Sequence, residues 1–513
     1  MRVESLARSY LALSVLCLGV MAVYVSETSV AIALEDIAGT FGASMTATAW
    51  VATIYVLMVG TFVPLAPTIG ERFGYKKTFL FAYALFVIGS AISGFSSDLL
   101  VLLIGRSIQG AGGSLLAPCV MRLAASIFPK EKLDSAMGAI AACAGAGVAI
   151  GPTLAGYLLD NYNWHSIFWV NVLLGLIILP MGQMLLEEAG RPKEMTFDWW
   201  GFLLIAVTSS SLLIALANGN AAWNTGGWTS PFMLVTFSIF VASFAFLILR
   251  ERTFCAPAMH LGIFKSPDFF MPSICIFVVG FGLLGTGFIL PIFMQKYLGY
   301  SKLSSGLTFG PGGVAMFFIS LYIARICRRL GAFTCLIPGF LITCFAYWIG
   351  MKISLQSDFF TMTLISLFRG IGMGLLLTPL ITLSINSLSI EERGYGAAMM
   401  MFMYQLGMSV GVALFQTIII RRTIFHTAIL SQAANPESAC FQKVYGGIRD
   451  AIVQRGSAIP GFIDGQAKTL IANHLKNVAM AAAVCDVITI AFWFTLGVTA
   501  LLIIYKVCEK LVK

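Results

Sequence analysis

The sequence predicts an all-α membrane protein of fourteen spanning helices, built as two six-helix halves with two helices inserted between them. Three observations predict it. Mean hydropathy is +0.90 and only 11% of residues are charged, against about 25% in a soluble domain. Apolar runs of about twenty residues, the length that crosses roughly 30 Å of hydrocarbon, recur fourteen times along the 513 residues. A pattern that begins at Arg106 and runs through a Leu-Leu-x-Pro stretch to paired glycines returns in the same order from Arg369.

The fourteen runs cover 11–34, 49–69, 78–95, 99–121, 134–158, 166–186, 199–217, 231–249, 270–295, 304–324, 333–351, 359–384, 396–420 and 481–505. The first is too long for the core of a signal peptide and no convincing small-residue cleavage site follows it, so it is expected to stay as the first anchor. With the amino terminus placed inside, twenty of the 32 Lys and Arg fall in inner segments, while the short outer loops hold only Lys296, Lys302 and Lys352. Seven more lie in the long polar stretch 421–480, and Arg106 and Arg369 lie within spans. That asymmetry predicts both termini in the cytoplasm.

The net charge of +9 carries no sign of a nucleic-acid partner, since no basic run with interleaved aromatics occurs. Of the eleven cysteines, most lie within apolar runs, with no Cys-x-x-Cys pair. They read as small packing residues, and neither a disulfide framework nor a metal site is expected. No P-loop lysine motif occurs, so pumping driven by ATP is not expected. The four histidines (His165, His260, His426, His474) read as scattered through loops rather than gathered for catalysis. No cofactor and no enzymatic activity are expected.

The repeat defines the domains. Glu131, Lys132 and Ala136 match Glu392, Arg393 and Ala397. Arg106 with Leu115-Leu116-Ala117-Pro118 matches Arg369 with Leu376-Leu377-Thr378-Pro379, and Gly147 and Gly151 match Gly407 and Gly411. Residues 1–190 then form one half, 191–265 the inserted pair with its linkers, and 266–513 the second half with an outer stretch at 421–480. That stretch has enough apolar residues for helix and would serve equally as a solvated loop.

Gly147-Val-Ala-Ile-Gly151-Pro152-Thr-Leu-Ala-Gly156 leaves a helix face without side chains and removes one backbone N–H. A membrane helix packed closely on a neighbour tolerates both. The stretch resembles the antiporter signature of the major facilitator superfamily. Pro67-Thr-Ile-Gly-Glu71-Arg72-Phe-Gly74-Tyr-Lys76-Lys77 resembles that superfamily's cytoplasmic gate loop, with Pro67 for its first Gly and Glu71 for its Asp. The resemblance implies a conformation-dependent charge contact there, with Arg122 as one partner. Arg106-Ser-Ile-Gln109-Gly110, the run from Trp164 through Phe168 to Asn171, and Asp198-Trp-Trp-Gly201 follow in order. Together these motifs resemble the fourteen-spanning drug:proton antiporters of the EmrB/QacA type over nearly the whole chain. The resemblance implies the major facilitator fold, a bacterial inner-membrane location and export of a small amphipathic substrate against protons. It also implies a possible role for a periplasmic adaptor and an outer-membrane channel as partners.

Charges inside spans are costly and usually functional. Glu27 and Arg106 each sit eight residues from an outer helix end, at matching depths of about 12 Å, and read as the proton-coupling pair. Burial favours the neutral carboxyl and a neighbouring Arg favours the carboxylate, so such a group can carry a proton. A permanently paired, purely structural Glu and Arg is the other reading. The family's acid in this span aligns with Ser26, so Glu27 is displaced by one residue, about 100° around the helix. Thr28, Gln109, Arg369, Gln405 and Asp486 are expected around a central substrate cavity; for Arg369, a pairing with Asp486 and a structural role are equal readings. The run from Met399 to Met403 and Met408 offers pliable apolar surface, although ordinary core packing is the better reading. A dedicated exporter of one metabolite or siderophore, an importer by symport, and a polytopic membrane enzyme or channel are the alternatives.

Overall fold

In a hydrocarbon environment every backbone polar group must be satisfied within its own segment, and the chain responds with helix almost throughout. The computed structural model describes residues 2–189, 198–219, 224, 226–254, 259–389, 392–433, 439–454 and 460–512. Arg191, Lys193 and the expected boundary at 190 lie outside the described residues.

The first six spans are α1 (Arg2–Phe41), α2 (Met45–Phe62) continuing through a short 3-10 turn (Val63–Leu65) into α3 (Ala66–Phe73), α4 (Tyr75–Gly94), α5 (Leu99–Ile127), α6 (Lys130–Asn161) and α7 (Ser166–Leu185). The next pair is α8 (Trp199–Asn218) and α9 (Pro231–Thr253). The last six are α10 (Pro267–Lys296), α11 (Lys302–Leu307) with α12 (Gly310–Leu330), α13 (Ala332–Gly350), α14 (Phe359–Asn386), α15 (Arg393–Ala433) and α17 (Pro460–Val512), with the shorter α16 (Ala439–Gln454) before the last. Among the described residues, fourteen helices are long and apolar enough to cross a membrane. The chain is an all-α, multi-pass membrane protein. An even number of crossings returns the carboxyl terminus to the face of the amino terminus; the other face is here the far face.

Helix starts follow local chemistry. Asp98 caps α5 through the Val101 N–H at 2.9 Å and Asp358 caps α14 through the Thr361 N–H at 3.0 Å. Ser44, Ser230 and Ser301 do the same for α2, α9 and α11, each filling an otherwise orphaned donor. Asp198 caps α8 through the Gly201 N–H at 2.9 Å and also accepts from Arg250 of α9 at 3.0 Å. The Asp-x-x-Gly pattern therefore clasps the inserted pair. Asp358 is exposed and well hydrogen-bonded, chiefly by the Thr361 side chain, which holds its carboxyl below the ordinary range.

The internal repeat is visible in how helices cross. A Cβ on Gly147 would lie 2.7 Å from the Met21 carbonyl oxygen, and one on Gly151 3.0 Å from that of Val25. Gly407 and Gly411 of α15 meet Phe277 and Phe281 of α10 in the same way. Gly74 (φ +95°) turns α3 into α4 as Gly331 (φ +84°) turns α12 into α13.

The last two long helices depart from the expected spans. α15 continues to Ala433 and α17 begins at Pro460, so much of 421–480 is helical, and His426 and His474 sit in helices rather than loops. Hydropathy marks the part of a helix that needs lipid; exposed Lys468, His474 and Lys476 belong to the part that projects into water.

Candidate functional site

Two seams join the first six spans to the last six. In one, α6 runs along α11 and α12: Gly145 faces Met316, Ala149 faces Gly313, and the Thr153 hydroxyl donates to the Gly306 carbonyl at 3.2 Å. In the other, α2 runs along α15: Gly60 approaches the Gln405 Cβ, and the Gln416 amide donates to the Met45 carbonyl at 3.5 Å. α8 covers this second seam, where the Thr417 hydroxyl donates to the Leu216 carbonyl at 2.7 Å and Phe202 packs on Phe62 at 4.9 Å.

The glycine signature serves two contacts. Gly147 and Gly151 are the bare face against α1, as expected from small-residue packing. Gly156 faces Lys302 and Leu303 of α11 instead, and Gly306 stands against the Pro152 carbonyl. Five residues turn a helix by about 140° from the starting face, so the third glycine cannot share the face of the second. The expectation of a single bare face is corrected to two adjacent ones, one toward α1 and one toward α11.

Between the seams lies a cavity walled by Glu27, Thr28 and Ala31 of α1, by Pro152 of α6, by Leu283, Leu284 and Gly287 of α10, by Phe309, by Arg369 of α14, and by Tyr404 and Met408 of α15. Glu27, Thr28 and Ala31 hold the same register on α1 as Leu283, Leu284 and Gly287 on α10, so both sets of six spans present equivalent positions to it. A second cavity, toward the face of the termini, is lined by Val20, Ser114, Met401 and Gln405 among others. Tyr24 borders both cavities.

Behind the first wall is a hydrogen-bond network. Arg106 is fully buried; it donates from Nε to the Val51 carbonyl at 3.0 Å, and from Nη1 to Ser26 Oγ at 3.2 Å and Gln109 Oε1 at 2.6 Å. Its guanidinium stands 4.1 Å from the Tyr55 ring and 5.9 Å from that of Phe168. The Gln109 amide donates to Ser26 Oγ at 2.9 Å and to Ser90 Oγ at 2.6 Å. Ser26, where the family has its acid, is the residue that faces Arg106. Glu27 points out of this network into the cavity: it is 4% exposed, and its Oε1 has no partner among the described residues, as is true of Arg106 Nη2. Arg106 and Gln405 are the groups that act on it.

Of the residues expected in the substrate cavity, Thr28 and Arg369 line it and Gln405 lines the adjoining one. Gln109 does not; it is wholly buried within the first six spans. Asp486 does not pair with Arg369. It accepts from Arg422 Nε at 2.5 Å and lies 2.7 Å from His426 Nε2, both on α15. Helix α15 continues beyond its predicted span to Ala433 and brings its own cation and imidazole to Asp486. These groups are partly exposed, so Asp486→Asn is expected to cost about 1 kcal/mol or less. Thermal unfolding should shift little and transport should stay within about twofold of wild type; a complete loss of transport would place Asp486 in the pathway after all.

At the gate loop, the Lys76 N–H donates to the Glu188 carboxylate at 3.0 Å and the Lys76 ammonium to the Gln183 carbonyl at 2.8 Å. A Cβ on Gly74 would collide with Glu188, so the glycine serves both the turn and this contact. Arg122 stands 5.9 Å from the Tyr75 ring, and Arg72 5.3 Å from that of Phe73. Glu71 acts on Tyr75 and on Tyr395 of α15, which brings the loop to the second seam. His260 stacks on Tyr395 at 3.9 Å, and burial pushes its imidazole below the usual histidine range. On the far face Lys302 pairs with Asp36 at 2.6 Å and the Leu303 N–H donates to Asp160 at 3.0 Å. Glu188, Asp36 and Asp160 had no signal in the sequence: each is an acid near a helix end whose partner comes from a distant segment.

Comparison with known proteins agrees with this architecture. A Bacillus subtilis protein named as the uncharacterized MFS-type transporter YhcA is 28% identical over 96% of this chain and 91% of that protein. The lincomycin resistance protein LmrB of Listeria innocua is 27% identical over 83% of this chain and 90% of its own. The multidrug export protein EmrB of Escherichia coli is 26% identical over 92% of this chain and 90% of its own. Among solved structures, a bacterial homologue of the human lysosomal transporter Spinster, inward-facing and unoccupied, superposes with a TM-score of 0.57 at 14% identity, over 96% of this chain and 97% of that one. A sequence model described as the Major Facilitator Superfamily matches residues 16–412, and the chain belongs to that superfamily.

Proposed function

We propose that the protein is a proton-coupled antiporter that exports amphipathic compounds across the inner membrane of a bacterium, with both termini in the cytoplasm. The observation that carries this reading is Glu27: a carboxyl buried in the wall of a cavity between the two seams, with one oxygen unpartnered. A buried acid with one oxygen left without a partner can exchange a proton for a cationic substrate, because the two states need the same compensation. Relatives named for multidrug export and lincomycin resistance support a drug-like substrate. The halves 1–190 and 266–513 would rock about the cavity, with 191–265 as the inserted pair riding on one seam. The seams would part alternately at the far face, where Asp36 meets Lys302, and at the gate loop. The helical segments at 421–433, 439–454 and 460–480 offer the surface on which a periplasmic adaptor, and through it an outer-membrane channel, would act.

The test is proton release from the purified protein at fixed pH on adding a lipophilic cation such as tetraphenylphosphonium, in wild type and in Glu27→Gln. Release is expected in wild type alone. Equal release from both proteins would move the coupling group elsewhere, and binding without any release would remove proton coupling from the reading.

A further inference from the structure

The cavity is lined by an acid and a base, Glu27 and Arg369, that form no ion pair with each other among the described residues. Glu27 is influenced by Arg106, which lies behind its own wall. Arg369 stands in the opposite wall and is 6% exposed. It gives Nη1 to the Thr286 hydroxyl at 2.7 Å, its guanidinium lies 5.4 Å from the Phe309 ring, and Tyr347 is the ionisable group that acts on it. No acid pairs with it among the described residues.

Arg369 also has an open edge. Gly287 stands in front of it, where a Cβ would lie 3.9 Å from Nη1 and 4.0 Å from Nη2. The equivalent position on α1 is Ala31, so the bare position falls on the side of the unpaired guanidinium. A planar fork of N–H donors facing open space matches a carboxylate in two-point geometry. A buried cation with no counter-ion is costly until something brings it one. Between these two groups the walls are apolar and aromatic: Tyr24, Leu283, Phe309, Tyr404 and Met408.

Building on the exporter reading, we propose that the preferred substrate class is an amphipathic zwitterion. Its amine is held at Glu27, its carboxylate at the open edge of Arg369, and its apolar body between them. A substrate with only a cation satisfies one wall and leaves the other unpaired.

The test uses a matched pair of probes, an arylpiperazine bearing a carboxylic acid and its methyl ester, with binding to the purified full-length protein measured by fluorescence. Wild type is expected to bind the acid about tenfold more tightly than the ester. Arg369→Gln should reduce that preference to about twofold or less by weakening acid binding far more than ester binding, and Arg369→Lys, which keeps charge without the fork, should fall between. If Arg369→Gln does not fold, Gly287→Val, which covers the open edge, should produce the same selective loss. Equal binding of acid and ester by wild type overturns the proposal, as does a loss of both probes alike in Arg369→Gln and Gly287→Val. Tetraphenylphosphonium separates the two readings: if it binds and releases a proton while the acid gains nothing over the ester, only the zwitterion proposal fails. If it neither binds nor releases a proton, the exporter reading fails as well.

Discussion

Arg106→Ala is expected to remove about 4 kcal/mol of stability and all substrate-dependent proton release. The guanidinium donates to three acceptors, the Val51 carbonyl, Ser26 and Gln109, at 3.0, 3.2 and 2.6 Å. Hydrogen bonds between membrane helices contribute roughly 1 kcal/mol each, and the contact with Tyr55 about 1 kcal/mol more. No water reaches this site from bulk, so the orphaned acceptors find no substitute. Arg106→Met separates packing from charge. It keeps most of the side-chain volume and should recover part of the stability, but it removes the positive charge against which a deprotonated Glu27 is balanced. Its proton release should therefore stay absent. Thermal unfolding in detergent and proton release on tetraphenylphosphonium addition measure the two effects. An alanine variant as stable as wild type would mean the network organises nothing, and a methionine variant that still releases a proton would leave Arg106 as structure alone.

This network also shows how far the sequence could be read. The spans were legible because hydrocarbon penalises polar residues so strongly that their absence marks each crossing. Arg106, Glu27 and Arg369 stood out for the same reason. The displaced acid was legible too: a shift of one residue turns a side chain by about 100°, and in the structure Ser26 faces the arginine while Glu27 faces the cavity. Partnership was not legible where the partner is distant. Asp36 and Lys302, or Lys76 and Glu188, are ordinary charges near helix ends until the fold brings them together. Asp486 was misassigned because its partners, Arg422 and His426, were read as a polar outer stretch although they continue helix α15. Gln109 was expected in the cavity because the family motif names it without saying which way it points.

The largest contrast is expected between two glycines that look alike in sequence. Gly151→Val places branched carbons against the Val25 carbonyl, 3.0 Å from where a Cβ would stand, and against the Thr28 hydroxyl. Both belong to α1, which packs on α6 within the same half, and neither helix can withdraw without opening that half. Overpacking of this kind costs about 1–3 kcal/mol where the backbone can adjust and more where it cannot. Little folded Gly151→Val protein should therefore be recovered from membranes. Gly313→Val meets Ala149 with an even more severe overlap, but α12 and α6 belong to opposite halves. That clash can be relieved by the separation that transport itself requires. The protein should fold, with the equilibrium moved toward the state in which this seam is parted. A cysteine placed at Thr153, half-buried in the seam, reports it: in a background without the native cysteines, labelling by a membrane-impermeant thiol reagent should rise about tenfold in Gly313→Val, a shift of about 1.4 kcal/mol. If Gly313→Val is instead lost from the membrane as completely as Gly151→Val, the seam is part of the fixed core and the halves do not part along it. If it folds and labelling is unchanged, α6 and α12 have repacked locally and the glycine does not control the opening. A rise in labelling with intact folding would make Gly313 a position where the same small residue that allows close packing also sets how readily the transporter opens.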